Sequence, residues 1–548
     1  MNKLIARTLL VSAVLLGAAT PALAVDAPHF VDETATAGID QKYTGGWEFY
    51  VGGGVAAFDC NGSGFPSLFI AGGSSPAALY INRSTVGGPL KFEKVEDSPL
   101  ALKNVTGAYP LDIDGDGIMD LVVLRVGESV VFKGLGGCKF ERANEQWGFD
   151  GGNNWTTAFS ATWEAGQSWP TFAIGNYVDR SAPGGPFGTC EPNYIVRPQG
   201  QHFGPRLPLS PSFCALSMLF SDWNRSSQPS LRIANDRQYY RGGEDQLLKL
   251  EPGQPPRFYS HGEGWRKLEI WGMGIATYDL AGRGYPAYAI SSMADQKLQV
   301  LSKDADGNPS YEDQALQRGT TAPHPFAGED HRPSTGWHTE FADVNNDGYI
   351  DLWISKGNVS QMGDFANKDP SNLLLGHPDG TFTEGAKDAG VLNFDSARGA
   401  VLADFNLSGM LSLVVVNRNA NAKVYRNVGF GTAEKPVPMG NWIEVKANQP
   451  GPNRNAIGGW IEMRSGSRTY RRELTVGGGH AGGQAGWVHF GIGEAERALV
   501  RVQWPDGTWG PFVKVIANNF VRIDRDDIAA HYWLPPYADT ASGDAGKN

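Results

Sequence analysis

Nine-residue acidic segments recurring along the chain constrain its fold more than any other feature. The fullest copies are Asp112-Ile113-Asp114-Gly115-Asp116-Gly117-Ile118-Met119-Asp120 and Asp343-Val344-Asn345-Asn346-Asp347-Gly348-Tyr349-Ile350-Asp351. In this spacing, side-chain oxygens at positions 1, 3, 5 and 9 converge with the carbonyl of position 7 on one hard cation, and glycine at position 6 permits the sharp turn. The expected Ca2+ ligands are therefore Asp112, Asp114, Asp116, the Ile118 carbonyl and Asp120 in one copy. In the other they are Asp343, Asn345, Asp347, the Tyr349 carbonyl and Asp351.

The flanks rule out a helix-loop-helix calcium site. Position 12 is Val123 in one copy and Ile354 in the other, so the bidentate glutamate is missing. The following stretches, Met119 to Leu124 and Ile350 to Ile354, are short and rich in β-branched or aromatic residues, which reads as strand. The loop joins two strands.

Degenerate copies begin at Asp59, Asp222 and Asp404, with serine replacing later acids. Asp279 to Gly284 keeps the turn without the ligands, and Asn176 to Asp179 is the faintest relative. Seven units thus start near 59, 112, 176, 222, 279, 343 and 404. A spacing of roughly 45 to 65 residues suits one four-stranded blade per unit. The expected fold is all-β: a seven-bladed β-propeller over residues 28–430. Aromatics late in several units, Phe92, Phe140, Phe258, Tyr311 and Phe382, mark the outer hairpins. Asp, Asn and Gly also make plain solvated turns, which is the competing reading of the serine-substituted copies.

The N-terminus carries Lys3 and Arg7, an apolar run from Leu9 to Leu16, and Ala22-Leu23-Ala24 before Val25. This reads as a signal peptide over residues 1–24 and implies export to the periplasm or beyond. A membrane anchor would need about 20 apolar residues, and no later segment is apolar enough to span a bilayer. A net charge of -11 argues against nucleic acid as partner. Four cysteines in an exported chain suggest two disulfides, for which three pairings exist. Cys190 and Cys214 lie in a Pro/Gly-rich insertion, from about Ser181 to Cys214, which shows no strand periodicity, and are paired with each other. That leaves Cys60 with Cys138, or two buried free thiols.

After Pro438 the texture changes. Alternating stretches such as Trp442-Ile443-Glu444-Val445, Trp460-Ile461-Glu462-Met463 and Val500-Arg501-Val502-Gln503 predict a small antiparallel β-domain over 440–525, followed by a tail over 526–548. Three stretches carry a resemblance: Asn453 to Gly458, His489-Phe490-Gly491-Ile492-Gly493, and Val502-Gln503-Trp504-Pro505-Asp506-Gly507. Together they resemble the ASPIC/UnbV domain, and the acidic loops resemble FG-GAP (VCBS-type) repeats. Repeats followed by this domain are similar to the cartilage acidic protein 1 family in its bacterial branch. The resemblance implies a calcium-binding propeller with a C-terminal β-domain, and no settled activity. Where that domain commonly shows a Ser-Gln pair after a glycine-rich turn, this chain has Gly477-Gly478-Gly479-His480 and then Gly483-Gln484.

An enzyme would use residues just before the acidic loops, on inner strands near the channel: Tyr109, Trp271, Trp337, His338 and Arg398. His324, His331 and His338, with Glu329, Asp330 and Glu340, form the only His-rich stretch, and it lacks metal-site grammar. No nucleophile elbow, P-loop or CxxC occurs. Gly52-Gly53-Gly54 and Gly477-Gly478-Gly479 read as tight strand connections. The expected function is a binding module for an extracellular or periplasmic protein or glycan, with calcium structural. The alternative is a carbohydrate-active lyase or dehydratase using the channel face.

Overall fold

The computed structural model describes residues 25–182, 188–236 and 242–536, whose regular secondary structure is almost wholly strand. The expected signal peptide lies outside the described residues. No helix among them is long and apolar enough to cross a membrane.

Seven four-stranded antiparallel meanders follow one another along the chain, the second and third joined by a short pairing at Asn154 and Trp155. Their innermost strands are Val55–Phe58, Val105–Leu111, Asn154–Thr162, Ala215–Ser221, Gly272–Tyr278, Gly336–Ala342 and Ser396–Ala403. Each contacts the next, and the last returns to the first, so the sheets close a ring. These strands are buried along almost their whole length, as expected of strands packed on both faces. Fourth strands instead bury one aromatic and expose the residues after it: Phe92, Phe140, Tyr311 and Phe382 each open such a strand, and Phe258 lies in another. The seventh sheet takes its outer strand, His29–Asp32, from the N-terminal side, paired antiparallel with Lys423–Gly429.

The first and second strands of every sheet are joined by an eight-residue loop, and in six sheets that loop is an acidic copy. The third sheet corrects the sequence reading. Its equivalent loop is Trp163 to Pro170, whereas Asn176 ends the second strand. The insertion beginning near Ser181 is also not irregular throughout, because Asn193–Pro198 and Phe203–Leu209 supply the sheet's third and fourth strands. Pro205 and Pro208 hid the latter from a periodicity reading, and an edge strand tolerates them. The disulfides Cys60–Cys138 and Cys190–Cys214 are both formed, the first tying the first sheet's acidic loop to the second sheet.

Beyond Asn441 two further four-stranded sheets share one apolar core that includes Ile443, Met463, Val500 and Val521. The expected antiparallel arrangement holds for one sheet. In the other, Asn441–Asn448 pairs parallel with Asn519–Asp524. Part of the expected tail also belongs here, since Ala530–Trp533 pairs with Asn519–Asp524.

The segment from Leu474 to Trp487 leaves this sheet pair and enters the ring along its axis. Val476, Gly477, Gly479 and Gly482 form bridges to Ala161, Leu219, Ile275 and Ala108, and Gln484–Ala485 pairs parallel with Ala57–Phe58. It therefore joins the inner strands of the first five sheets. The glycine run is a plug at the centre of the molecule, not a plain turn. Close backbone approach explains the glycines facing it: a Cβ on Gly54 or Gly107 would lie 1.7 or 1.8 Å from the Ala481 carbonyl oxygen.

His480 completes the contact. The Gly52 amide donates to its Nε2 at 3.0 Å, which places the ring proton on Nδ1, facing the Met273 carbonyl at 3.2 Å. The His480 amide donates to His338 Nδ1 at 3.1 Å, and its ring packs on Trp337. Arg398 of the seventh sheet stacks on the same Trp337. Burial, with minor contributions from Arg398 and His338, pushes the His480 pKa from 6.5 down to about 3.

Two outcomes are expected. Gly54→Ala cannot be relieved by a rotamer change, because the opposing atom is backbone, and it should destabilise by about 1–3 kcal/mol or more in urea unfolding. The depressed His480 pKa contributes stability that is full above pH 6.5 and is lost as pH falls through 3, at ~1.4 kcal/mol per pH unit. In matched urea titrations, His480→Asn should therefore show a flatter stability loss than the wild type across that window.

Candidate metal centres on the acidic-loop face

All the acidic copies share one hydrogen bond that owes nothing to a cation. One carboxylate oxygen of the position-1 aspartate accepts the position-6 amide: Asp59 from Gly64, Asp112 from Gly117, Asp222 from Ser227, Asp279 from Gly284, Asp343 from Gly348 and Asp404 from Gly409, at 2.6 to 2.9 Å. Position 6 has positive φ throughout, 59° at Ser227 and 75–90° at the five glycines. Position 9 ties the loop to the sheet. Asp120 accepts the Ile113 and Gly134 amides, Asp351 accepts those of Val344 and Gly376, and Ser67 and Ser412 accept those of Asn82 and Asn427. A serine there preserves this bond without charge.

The two full loops differ in what they add. In the second sheet Asp112, Asp114 and Asp116 bring one oxygen each within 4.8 Å of one another. The Lys133 ammonium pairs with both Asp114 and Asp116, the latter at 3.0 Å. Burial raises Asp112 to about 6 and Asp120 to about 8, against an ordinary 3.8. In the sixth sheet burial and mutual repulsion hold Asp343 and Asp351 well above the carboxylate range, and burial raises Asp347 as well. Asp343 Oδ1 is buried without a hydrogen-bond partner, while Asn345 Nδ2 donates to Asp347 Oδ2 at 3.0 Å. Ile118 and Tyr349 hold position 7, and the Tyr349 ring lies under the Arg468 guanidinium.

Such an all-oxygen set suits a hard divalent cation, and the orphaned Asp343 oxygen is what one would satisfy. The hydrogen bonds to Asp120 and Asp351 orient each carboxylate and leave lone pairs free. The fifth loop, without acids at positions 3 and 5, meets a protein cation instead: Arg471 NH1 pairs with Asp279 Oδ2 at 3.0 Å.

Arg471 belongs to the C-terminal sheet pair, and its contact is one of several. Glu473 accepts the Ser221 hydroxyl and the Asp222 amide, and His489 Nε2 lies 2.6 Å from Asn346 Oδ1. Arg468 donates to the Asp347 carbonyl, Gly117 lies against Arg454, and Gly409 packs on Trp442. The acidic-loop face is thus a docking platform, a role the sequence reading missed. The only sequence signal for it was the run Arg468, Arg471, Arg472 in a strand. Between platform and sheet pair lies a cavity of about 580 Å³ whose lining includes Asp59, Asp404, Glu444, Lys446 and Arg472.

Of the channel candidates, Tyr109, Trp337, His338 and Arg398 lie on inner strands, and Trp271 immediately precedes one. Their polar atoms serve the plug and its surroundings: His338 accepts the His480 amide, and Arg398 donates to the Tyr50 and Gly357 carbonyls. His324 and His331 lie in the connection before the sixth sheet and form no metal-ligating cluster with His338 among the described residues.

Residues 449–530 match the family model for ASPIC and UnbV, and residues 59–123 match that for an FG-GAP-like repeat. No curated protein matches the chain. Similar solved structures include BBS1N in complex with ARL6DN, at 11% identity and TM-score 0.40, covering 74% of this chain and 98% of that one. A lectin of Agrocybe aegerita, described as recognising non-reducing terminal N-acetylglucosamine, is 14% identical with TM-score 0.37, over 66% of this chain and 88% of that one. The Dos1 propeller is 8% identical with TM-score 0.33, over 73% and 96%. The chain is an all-β protein that carries an FG-GAP-like repeat ahead of an ASPIC and UnbV domain.

Proposed function

We propose that this is an exported seven-bladed β-propeller of the cartilage acidic protein 1 type, bacterial branch, acting as a binding module for an extracellular or periplasmic protein or glycan. The propeller spans residues 28–430 and the ASPIC/UnbV domain begins near 440. Calcium is structural, held by the second and sixth acidic loops. The observation that carries the reading is the axial plug. A channel-face lyase or dehydratase needs an accessible acid, base or cation at the axis, and there His338, His480, Tyr109 and Arg398 are buried and bonded to protein groups. That leaves the outer surfaces for partners. Two disulfides favour an oxidising, exported compartment.

The calcium reading is tested by melting the chelated mature protein with calcium titrated back. Saturation at 100 times the dissociation constant adds about 2.7 kcal/mol per site. Asp116→Ala and Asp347→Ala should each remove part of the gain, and a wild type indifferent to calcium overturns the reading. The raised carboxylate pKa values give the sign of the pH dependence. Without a cation, stability falls as pH rises from 3.8 through about 6 to 8, while cation binding needs the deprotonated acids. The calcium-induced rise in Tm should therefore be larger at pH 8 than at pH 5. Incubation with polygalacturonate should generate no ultraviolet-absorbing unsaturated product; its appearance would restore the lyase.

A further inference from the structure

The outward face of one C-terminal sheet is cationic and aromatic in a chain whose net charge is -11. Strand alternation and register place Glu462, Arg464, Arg471, Arg497, Arg501 and Lys514 on this face, with Leu499 and Ile516 between them. The opposite face carries Ile461, Met463, Val500, Val502 and Val515 into the core. Five cations therefore share the face with two carboxylates, Glu462 and Glu473, and Glu473 lies at the end that docks on Ser221 and Asp222. Glu462 is 2% exposed and accepts hydrogen bonds from Arg464, Arg471 and Arg501 at once. Arg471 is further matched by Asp279, but Arg497 and Lys514 have no ion-pair partner among the described residues. Positive charge is left over, and it is accessible, since the Arg464 side chain is 46% exposed.

Aromatic rings hold the guanidinium groups in place. Arg501 lies 3.9 Å from the Trp509 ring centroid and 4.3 Å from that of Phe512, and Arg464 lies 4.4 Å from Phe512. Trp509 is itself 40% exposed. A guanidinium fixed against a ring keeps its N–H edge free for a carboxylate or sulfate, and Arg presents that edge in a rigid bidentate fork. An exposed indole beside it offers a flat apolar surface to the C–H face of a sugar ring.

We propose that this face binds an anionic polysaccharide, its uronate or sulfate groups on Arg464, Arg497 and Lys514 and a sugar ring on Trp509. The proposal rests on the binding-module reading and names its partner class and site. An exported chain with two disulfides meets acidic polysaccharide, whereas the charge of the remaining surface opposes a long nucleic acid.

The test is affinity electrophoresis of the full mature protein in gels containing polygalacturonate, dextran sulfate or neutral dextran, with duplex DNA as a competing polyanion. The wild type should be retarded by at least one acidic polymer, less so as salt is raised, and not by neutral dextran. Arg464→Ala, Arg497→Ala and Lys514→Ala combined should weaken binding about tenfold or more, and Arg497→Ala with Lys514→Ala, which break no ion pair, should weaken it by a smaller factor at an unchanged melting temperature. Trp509→Ala should weaken it by a smaller factor. If the triple variant binds as the wild type does, this site is wrong while glycan binding stands. If neither acidic polymer retards the wild type, the glycan branch of the functional reading falls with it. Tighter binding to duplex DNA than to both acidic polymers overturns the assignment, and an inert Trp509→Ala removes the sugar-stacking part.

Discussion

The Ala481 carbonyl, seated against the backbone of Gly54 and Gly107, is the contact on which the rest of the architecture depends. Ring-shaped assemblies of twisted sheets leave their innermost strands facing one another across an axis, with backbone groups to satisfy. Here the occupant comes from the same chain. Because the segment from Leu474 to Trp487 leaves and re-enters the C-terminal sheet pair, the contact fixes that domain over the acidic-loop face. The ring and the C-terminal domain then share hydrogen bonds at the axis, around His480, and at the rim, around Arg471, Glu473 and His489.

Charge on the acidic-loop face is arranged with the same economy. A position-1 aspartate is needed by every acidic copy simply to close its turn, so each carries at least one half-buried or buried carboxylate. What differs is the compensation. Lys133 lies on one full loop, Arg471 pairs with Asp279 Oδ2 on the depleted fifth loop while Asp279 Oδ1 stays unpartnered, and the sixth loop keeps an orphaned Asp343 oxygen with no cationic side chain among the described residues paired to that aspartate. The degenerate copies are therefore not decayed metal sites in a structural sense. They retain the hydrogen bond that makes the turn and drop the charges that would need a cation.

The sequence showed the strand-loop-strand repeat clearly, because Asp, Asn and Gly at fixed offsets are demanded by one turn. It also showed the outer aromatics and both disulfides. It misplaced the third unit, where Trp163 to Pro170 has lost the position-1 aspartate and a chance Asn-x-x-Asp imitated it further on. Prolines concealed an edge strand, and a parallel pairing joined residues too far apart in sequence for any local pattern to reveal. The plug was invisible for a deeper reason: a glycine run states that backbone conformation or close approach is required, but not what approaches. Likewise the arginines of the C-terminal strands announced a charged face without saying that its Arg471 end docks on the ring while its Arg464 end looks outward.

Strand His29–Asp32 finds its partner only in Lys423–Gly429. This separation has a consequence in time. During synthesis or translocation the first strand waits while nearly the whole ring is made, and the inner edges stay open until the still later segment around His480 arrives. Contacts so distant in sequence form slowly, and unpaired edges are where chains meet one another. The interval before closure is thus the hazardous part of this protein's life. A polypeptide of this design cannot complete its fold until its C-terminal domain is available, because the contacts that close the ring come from that end.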